Sequence, residues 1–443
     1  MMFLCSVRHF FCWIVTVGLC VAAMSVATPA LAVNWFMLQG VESENAPKFR
    51  FGGFALFDYQ NSGGGDLPAG PFKGQPMASG LVSPDMNSSA ESNLRKLRLG
   101  VRGALTDQFS YSFKTISGNN SVTGIDKGNR LRIVESSVTI NAIPHARIRI
   151  GLIKAPGAEE SLGFVPPCYY INLTGMTNML MQERFFEADG QDPTQENNPL
   201  IAGCCRDIGV MVFDAFHLNQ WELSYAVMLA NGSGMRLNDN NRNPEGYVYL
   251  SAEYLFGAGR RVHREGWKFF SWYQEGQRTL DVGLDHDEHE FHRSRYGVGT
   301  ALLWRKFRFG GEIIKADGMI FSGTDFNAPA GTVSTDGLKV SSFNIRPEDQ
   351  GLGWYVDFGY RVLPNFWLNA RYDRLDLNTE TMAEKEFETV TLGVLWQVSR
   401  HIWAKANYEF RHACAPDQQT TSVVNQILDD LPDRFSAQLL YLF

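Results

Sequence analysis

Beyond Ala32 the chain contains no apolar run approaching the roughly 18 residues that a membrane-crossing helix needs, which excludes a helical membrane protein. It also has no G-x-S-x-G and no H-E-x-x-H, so neither a nucleophile elbow nor a zinc-peptidase helix is written locally, and no catalytic residues are expected. Strong basicity is missing: the formal net charge is −7, and no nucleic-acid partner is expected. Cysteine is scarce. Of seven, Cys5, Cys12 and Cys20 fall in the first 32 residues, which leaves Cys168, Cys204, Cys205 and Cys414. In an exported protein Cys168 with Cys204 or Cys205 could close a loop of fewer than 40 residues, but spacing does not choose the partner.

Both ends carry signals. Arg8 and His9 precede an apolar stretch from Phe10 to about Met24, and the small-residue site Ala30-Leu31-Ala32 follows, which predicts an export signal over 1–32 cleaved after Ala32. The apolar stretch is short for a retained anchor. Leu19 stands before Cys20 where a lipoprotein signal carries a small residue. Residues 33–48 read as a short N-terminal periplasmic segment and 49–443 as one domain. At the far end Phe435, Ala437, Leu439, Tyr441 and Phe443 occupy alternate positions. That pattern resembles the terminal strand of bacterial outer-membrane proteins, whose final Phe is read by the barrel-assembly machinery. A buried strand of a soluble protein alternates in the same way; the export signal favours the membrane reading.

Between the ends, segments of about ten residues alternate apolar and polar side chains, as strands do when one face meets lipid and the other water. Mean hydropathy is only −0.18, as expected when the two faces average out. Phe49, Phe51, Ala55, Phe57 and Tyr59 oppose Arg50 and Asp58; Leu97, Leu99, Val101 and Leu105 oppose Lys96, Arg98 and Arg102. Trp221, Leu223, Tyr225, Val227 and Leu229 oppose Glu222 and Ser224. About sixteen such segments are counted, an even number suited to an antiparallel transmembrane β-barrel. Short connections alternate with long polar ones, as periplasmic turns alternate with external loops. Residues 257–278 break this parity, and a ninth strand is placed at 278–284. Aromatics at segment ends, among them Phe109, Trp221, Tyr254, Phe256, Trp304, Phe307, Phe366 and Trp396, fall where interfacial girdles would sit.

Several stretches resemble the phosphate-selective porin O and P family: Arg147-Ile-Arg149-Ile-Gly-Leu-Ile-Lys154-Ala-Pro156 with Glu159-Glu160, then Gln182-Glu183-Arg184, Arg206-Asp207-Ile-Gly209-Val210, Asn231-Gly232-Ser-Gly234 with Asn238-Asp239-Asn240, and Ala370-Arg371-Tyr372-Asp373. The resemblance implies a sixteen-stranded, trimeric outer-membrane channel whose long third loop folds into the lumen, with anion selectivity from inward bases. Here those bases are Lys96, Arg98, Arg102, Lys114, Arg147 and Arg149. The third loop, Ala155 to Cys205, departs from such a filter: it holds Glu159, Glu160, Glu183, Glu187, Asp189, Asp192 and Glu196 against the single base Arg184. The expectation is therefore a passive diffusion channel for small hydrophilic solutes and ions, seated in outer-membrane lipid, with a basic wall facing an acidic loop and a modest charge preference. Phosphate or anion selectivity is the alternative, and a plugged adhesin or structural barrel is a further one.

Two polar runs offer metal-type ligands. Asp285-His286-Asp287-Glu288-His289-Glu290-Phe-His292 could gather three histidines if helical, and Asn238-Asp239-Asn240-Asn241 offers oxygens without calcium-loop spacing. Both read as solvated loop. No metal or cofactor is expected.

Overall fold

The computed structural model describes residues 41–42, 46–63, 65–78, 90–119, 131–163, 168–199, 201–236, 243–257, 264–285 and 287–443. The export signal expected over 1–32, the asparagine-rich run 238–241 and His286 lie outside the described residues, as do the side chains of Glu183 and Cys204.

Alternation of side chains about an extended backbone dictates the architecture. The strands are β1 (Arg50–Asn61), β2 (Ala90–Ala104), β3 (Phe109–Ser117), β4 (Arg132–Ile140), β5 (Arg147–Lys154), β6 (Gln182–Phe185), β7 (Ile201–Cys204), β8 (Arg206–Leu218), β9 (Trp221–Ala230) and β10 (Glu245–Leu255). They continue as β11 (Gly266–Val282), β12 (Asp287–Trp304), β13 (Phe307–Asp317), β14 (Ile320–Thr324), β15 (Phe343–Arg346), β16 (Gln350–Leu363), β17 (Phe366–Leu377), β18 (Lys385–Gln397), β19 (Ile402–Cys414) and β20 (Arg434–Leu442). Sixteen of them close into one antiparallel barrel in the order β1-β2-β3-β4-β5-β8-β9-β10-β11-β12-β13-β16-β17-β18-β19-β20. The pairs β6–β7 and β14–β15 are separate hairpins inside loops. Closure is made by β1 against β20, with Phe57 opposite Leu439 and Asn61 opposite Phe435. Phe443 extends that edge: backbone hydrogen bonds run both ways between it and Gly53, and its ring lies where a Gly53 side chain would stand.

The outer face is apolar. Phe57, Ile150, Val210, Leu229, Val298, Phe358, Leu392 and Tyr408 are all exposed large hydrophobics, whereas their chain neighbours Asp58, Arg149, Met228, Asp357, Thr391 and Glu409 are buried within the barrel. An outward greasy belt on a closed sheet satisfies every interior backbone group and suits lipid. Leu392 lies near the middle of β18, so Leu392→Arg is expected to destabilise the barrel by roughly 2 to 4 kcal/mol. Denaturant titration of folding into phospholipid vesicles checks this; an effect near zero would place Leu392 against water.

Aromatics gather at the end with short connections, the periplasmic end by the rule of such barrels. Trp221 meets Tyr254 edge-on at 5.2 Å between ring centroids, and Phe307 meets Tyr360 at 5.1 Å.

The ninth barrel strand differs from expectation. It is β11, running from Gly266 to Val282, so residues 257–278 hold most of a strand, and the expected 278–284 covers only its end. The cause is chemical: β11 turns Phe270 and Trp272 inward while Trp267 and Phe269 face outward, so aromatic residues stand on both faces and the period of two is hidden. Because β11 ends at Val282 and β12 begins at Asp287, the external connection here is a tight turn. His289 and His292 are therefore extended, an odd number of positions apart, and point to opposite faces. Among the described residues no group of histidines, cysteines and carboxylates could hold a metal ion.

Candidate functional site

The segment between β5 and β8 is the third external loop, and it crosses the lumen. A one-turn helix, Glu159–Leu162, opens the crossing. The Glu159 backbone N–H donates to both oxygens of Glu312 on β13 at 3.2 Å, and the Glu159 carboxylate accepts from Tyr249 on β10 at 3.1 Å and pairs with Lys268 on β11. Glu160 accepts from Thr174 within the loop, at its backbone N–H and hydroxyl, and from Arg371 on β17 at 2.9 Å.

Farther along, the loop is fastened to the opposite wall. The Ile171 N–H donates to Asn407 on β19 at 2.7 Å, and the Gly175 N–H to Asp373 on β17 at 2.9 Å. Asn172 accepts from Gln60 and Arg95 and donates to Glu409 and Ser436, so one amide side chain joins β1, β2, β19 and β20. Arg371 also donates to the Asn172 carbonyl and stacks on Tyr170, 4.4 Å from its ring centroid. Tyr169 carries Arg308 over its face at 3.9 Å and meets Trp367 edge-on at 5.3 Å.

On its return the loop supplies an apolar face. Met176, Met179, Leu180 and Met181 pack with inward residues Met211, Phe213, Met228, Tyr249, Phe270, Trp272, Ile314 and Leu375 in one buried cluster. Gly353 on β16 makes room for this: a Cβ there would come within 2.5 Å of Met176 Cγ. About half of the barrel wall thus holds the loop by hydrophobic burial rather than by charge. This apolar face departs from the polar lumen that side-chain alternation alone predicts.

The expected basic residues divide into two groups. Arg102 and Arg147 stand at the periplasmic rim, where Arg102 pairs with Glu42 at 3.4 Å and Arg147 with Asp214. Lys96, Arg98, Lys114 and Arg149 face the interior. A bulge in β2 at Arg95, opposite Leu56 and Phe57 of β1, shifts the register, and Arg95 is buried with Lys96. Arg95 pairs with Asp58 at 2.9 Å, and it was missed because a bulge cannot be read from alternation. Lys114 and Ser112 both donate to Glu135 at 2.6 Å.

Arg98 and Arg149 differ from Arg102, Arg147 and Lys114, because neither has an ion-pair partner among the described residues. Arg98 lies over Phe54 at 5.2 Å with its Nε unpartnered. Arg149 lies over Phe213 at 4.8 Å, donates from Nε to Thr139 at 3.1 Å and leaves Nη2 unpartnered.

The expected acidic residues of the loop divide likewise. Glu159 and Glu160 are at the crossing, but each is engaged by a wall cation, Lys268 or Arg371, so they do not confront the β2–β5 wall as free charges. Asp189 and Asp192 lie toward the external side and cap local turns, accepting from Gln191 N–H at 3.0 Å and Thr194 N–H at 2.8 Å. Glu187 is exposed, and its carbonyl bonds Asp281 at the outer end of β11. A short carboxylate beside free N–H groups satisfies them locally, which draws these residues away from the crossing. Cys168 and Cys205 are both free thiols, so no bond joins them; Cys205 is buried, with its backbone at φ 59.

The charged side chains of the narrowed interior are mostly buried. Side chains there keep small exposures: Lys114 19%, Glu159 14%, Arg308 13%, Lys268 12% and Glu160 11%. The site is a barrel interior narrowed by the inserted loop and lined with fixed charges.

No protein family's sequence profile matches the chain, and no curated protein sequence matches it. Solved structures do share its fold. The outer-membrane channel DcaP of Acinetobacter baumannii superposes with a TM-score of 0.52 at 12% identity, covering 91% of this chain and 100% of that one. An anion-selective porin from Comamonas acidovorans gives 0.51 at 12% identity, covering 90% and 100%. The trimer form of OmpT, an outer-membrane protein of Vibrio cholerae, gives 0.51 at 10% identity, covering 90% and 99%. With its closed sheet, inserted loop and outward apolar belt, the chain has the fold of an integral outer-membrane porin.

Proposed function

We propose that the protein is a passive diffusion porin of the outer membrane, working as a homotrimer and passing small hydrophilic solutes with a modest preference for anions. One observation carries the reading: the loop carboxylates Glu159 and Glu160 are held by Lys268 and Arg371, while Arg98 and Arg149 face the barrel interior without a carboxylate partner among the described residues. Fixed charge in a narrow lumen favours ions of opposite sign. Size exclusion follows from the loop itself. The barrel-assembly machinery is a further proposed partner, recognising β20 with its lipid-facing Phe435, Leu439 and Tyr441.

Reversal potentials across a planar bilayer under a potassium chloride gradient test the proposal. A sign showing chloride more permeant than potassium is expected; a cation preference overturns it. Phosphate selectivity is the second reading, favoured by the unpartnered guanidinium nitrogens of Arg98 and Arg149, which suit an oxyanion. Block of chloride current by millimolar phosphate supports that reading, and additive conduction removes it.

A further inference from the structure

The external loops form a small packed cap of their own. Leu67, Ala69 and Phe72 of the first loop pack with Ala328 and Ile427, and the helix Val423–Leu428 is N-capped by Ser422, whose hydroxyl accepts from the Asn425 N–H at 3.2 Å. Among this cap, the β14–β15 hairpin and the outer ends of β17 and β18 lies a cavity of about 190 Å³. At about 30 Å³ per water in the liquid it has room for about six waters, the scale of a single sugar ring.

Its lining is chemically specific. Arg346 and Lys385 bring two cations that have no ion-pair partner among the described residues. Asp325 is also on the wall, but its carboxylate is occupied by Lys339 Nζ at 3.0 Å, the Ser342 N–H at 3.1 Å and Asn344 Nδ2 at 3.2 Å. Two lining amides are buried and incomplete: Asn327 and Asn378 are 4% and 1% exposed, and Asn327 Nδ2 and Asn378 Oδ1 have no hydrogen-bond partner. Leaving such a group unpaired costs about 1 to 3 kcal/mol, so a ligand atom or water belongs there. Both asparagines sit in the left-handed region, at φ 58 and φ 60. Phe326, Ile427 and Leu428 add an apolar side.

We propose that this cavity binds one acidic sugar residue, a hexuronic acid, at the cell-surface side of the barrel. The carboxylate is met by Arg346 and Lys385. A ring hydroxyl accepts from the Asn327 amide N–H, another donates to the Asn378 carbonyl, and the C–H face of the ring lies on Phe326. The free acceptor decides between ligand classes. A bare anion has nothing to donate to Asn378 Oδ1 and is repelled by Asp325, whereas a sugar hydroxyl donates; a neutral sugar leaves both cations unused. The proposal does not depend on conduction, because the site lies in the external loops rather than at the lumen crossing.

Isothermal titration of the full-length, detergent-solubilised protein with D-glucuronate, D-glucose and acetate tests it. Saturable glucuronate binding is expected, with glucose and acetate each weaker by about tenfold or more, a difference of about 1.4 kcal/mol. Arg346→Gln with Lys385→Gln should bring glucuronate affinity down to that for glucose, while Asn378→Leu should weaken glucuronate and leave acetate unchanged. Arg346 is exposed, so Arg346→Gln alone serves if the double variant fails the heat-modifiability check for a folded barrel. Absence of glucuronate binding, acetate binding as tightly as glucuronate, or full affinity in the Arg346 variant overturns the proposal.

Discussion

Replacing Arg98 and Arg149 together by glutamine is expected to lower the anion-to-cation permeability ratio several-fold and to carry the reversal potential toward, or past, zero. Both side chains face the barrel interior, Arg149 at only 1% exposure, and neither has a carboxylate partner among the described residues, so their removal subtracts net charge instead of breaking an ion pair. At about 8 Å from a passing anion, each is worth from about 0.5 kcal/mol in bulk water to about 2 kcal/mol at the effective dielectric of a protein surface. Lys114 is the control: it is tied to Glu135, and Lys114→Gln with Glu135→Gln leaves the net charge unchanged. That pair of changes should alter selectivity much less. Equal effects from the two double variants would mean that paired and unpaired charges act alike, contrary to the assignment. Salt supports the same test, since raising ionic strength shortens the screening length and should flatten the wild-type preference.

Arg371→Met is expected to loosen the third loop and convert a steady current into a fluctuating one of higher mean conductance. Arg371 donates to Glu160 and to the Asn172 carbonyl and stacks on Tyr170, so a single side chain holds the loop at three points. Removing one member of a buried pair typically costs about 3 to 5 kcal/mol, because the abandoned Glu160 is left without its cation. The barrel itself does not depend on this contact, since its strands close by backbone hydrogen bonding. Global thermal unfolding should therefore shift little while single-channel noise rises. Replacing Glu160 by Gln together with Arg371→Met relieves the stranded charge and should restore part of the quiet current. Unchanged current in the single variant would show that the apolar cluster around Met176 and Leu180 is enough to fix the loop.

The barrel was legible wherever the two faces of a strand differ. Strands such as β9, with Trp221, Leu223 and Tyr225 outward and Glu222 and Ser224 inward, match expectation from end to end. Legibility failed where the lumen turns greasy. On β11 Phe270 and Trp272 face inward to pack the third loop, so the strand no longer alternates, and it could not be told from an elaborated turn. The site was legible as residue types, not as pairings. Inward bases and loop acids were both expected, but which base meets which acid depends on where the loop lands. It lands against β10, β11, β13 and β17, so Glu159 and Glu160 are spent on Lys268 and Arg371 rather than set across from Arg98 and Arg149. The external cavity had no sequence signal at all, because its lining comes from segments separated along the chain and meets only through loop packing.

Single-channel recording on the purified, folded protein tests the central claim most directly, namely that this sheet encloses a continuous water path past its inserted loop. Discrete, ohmic current steps that favour chloride are predicted. A heat-modifiable, correctly folded barrel that inserts into the bilayer and never conducts would contradict it, and would make the loop a plug.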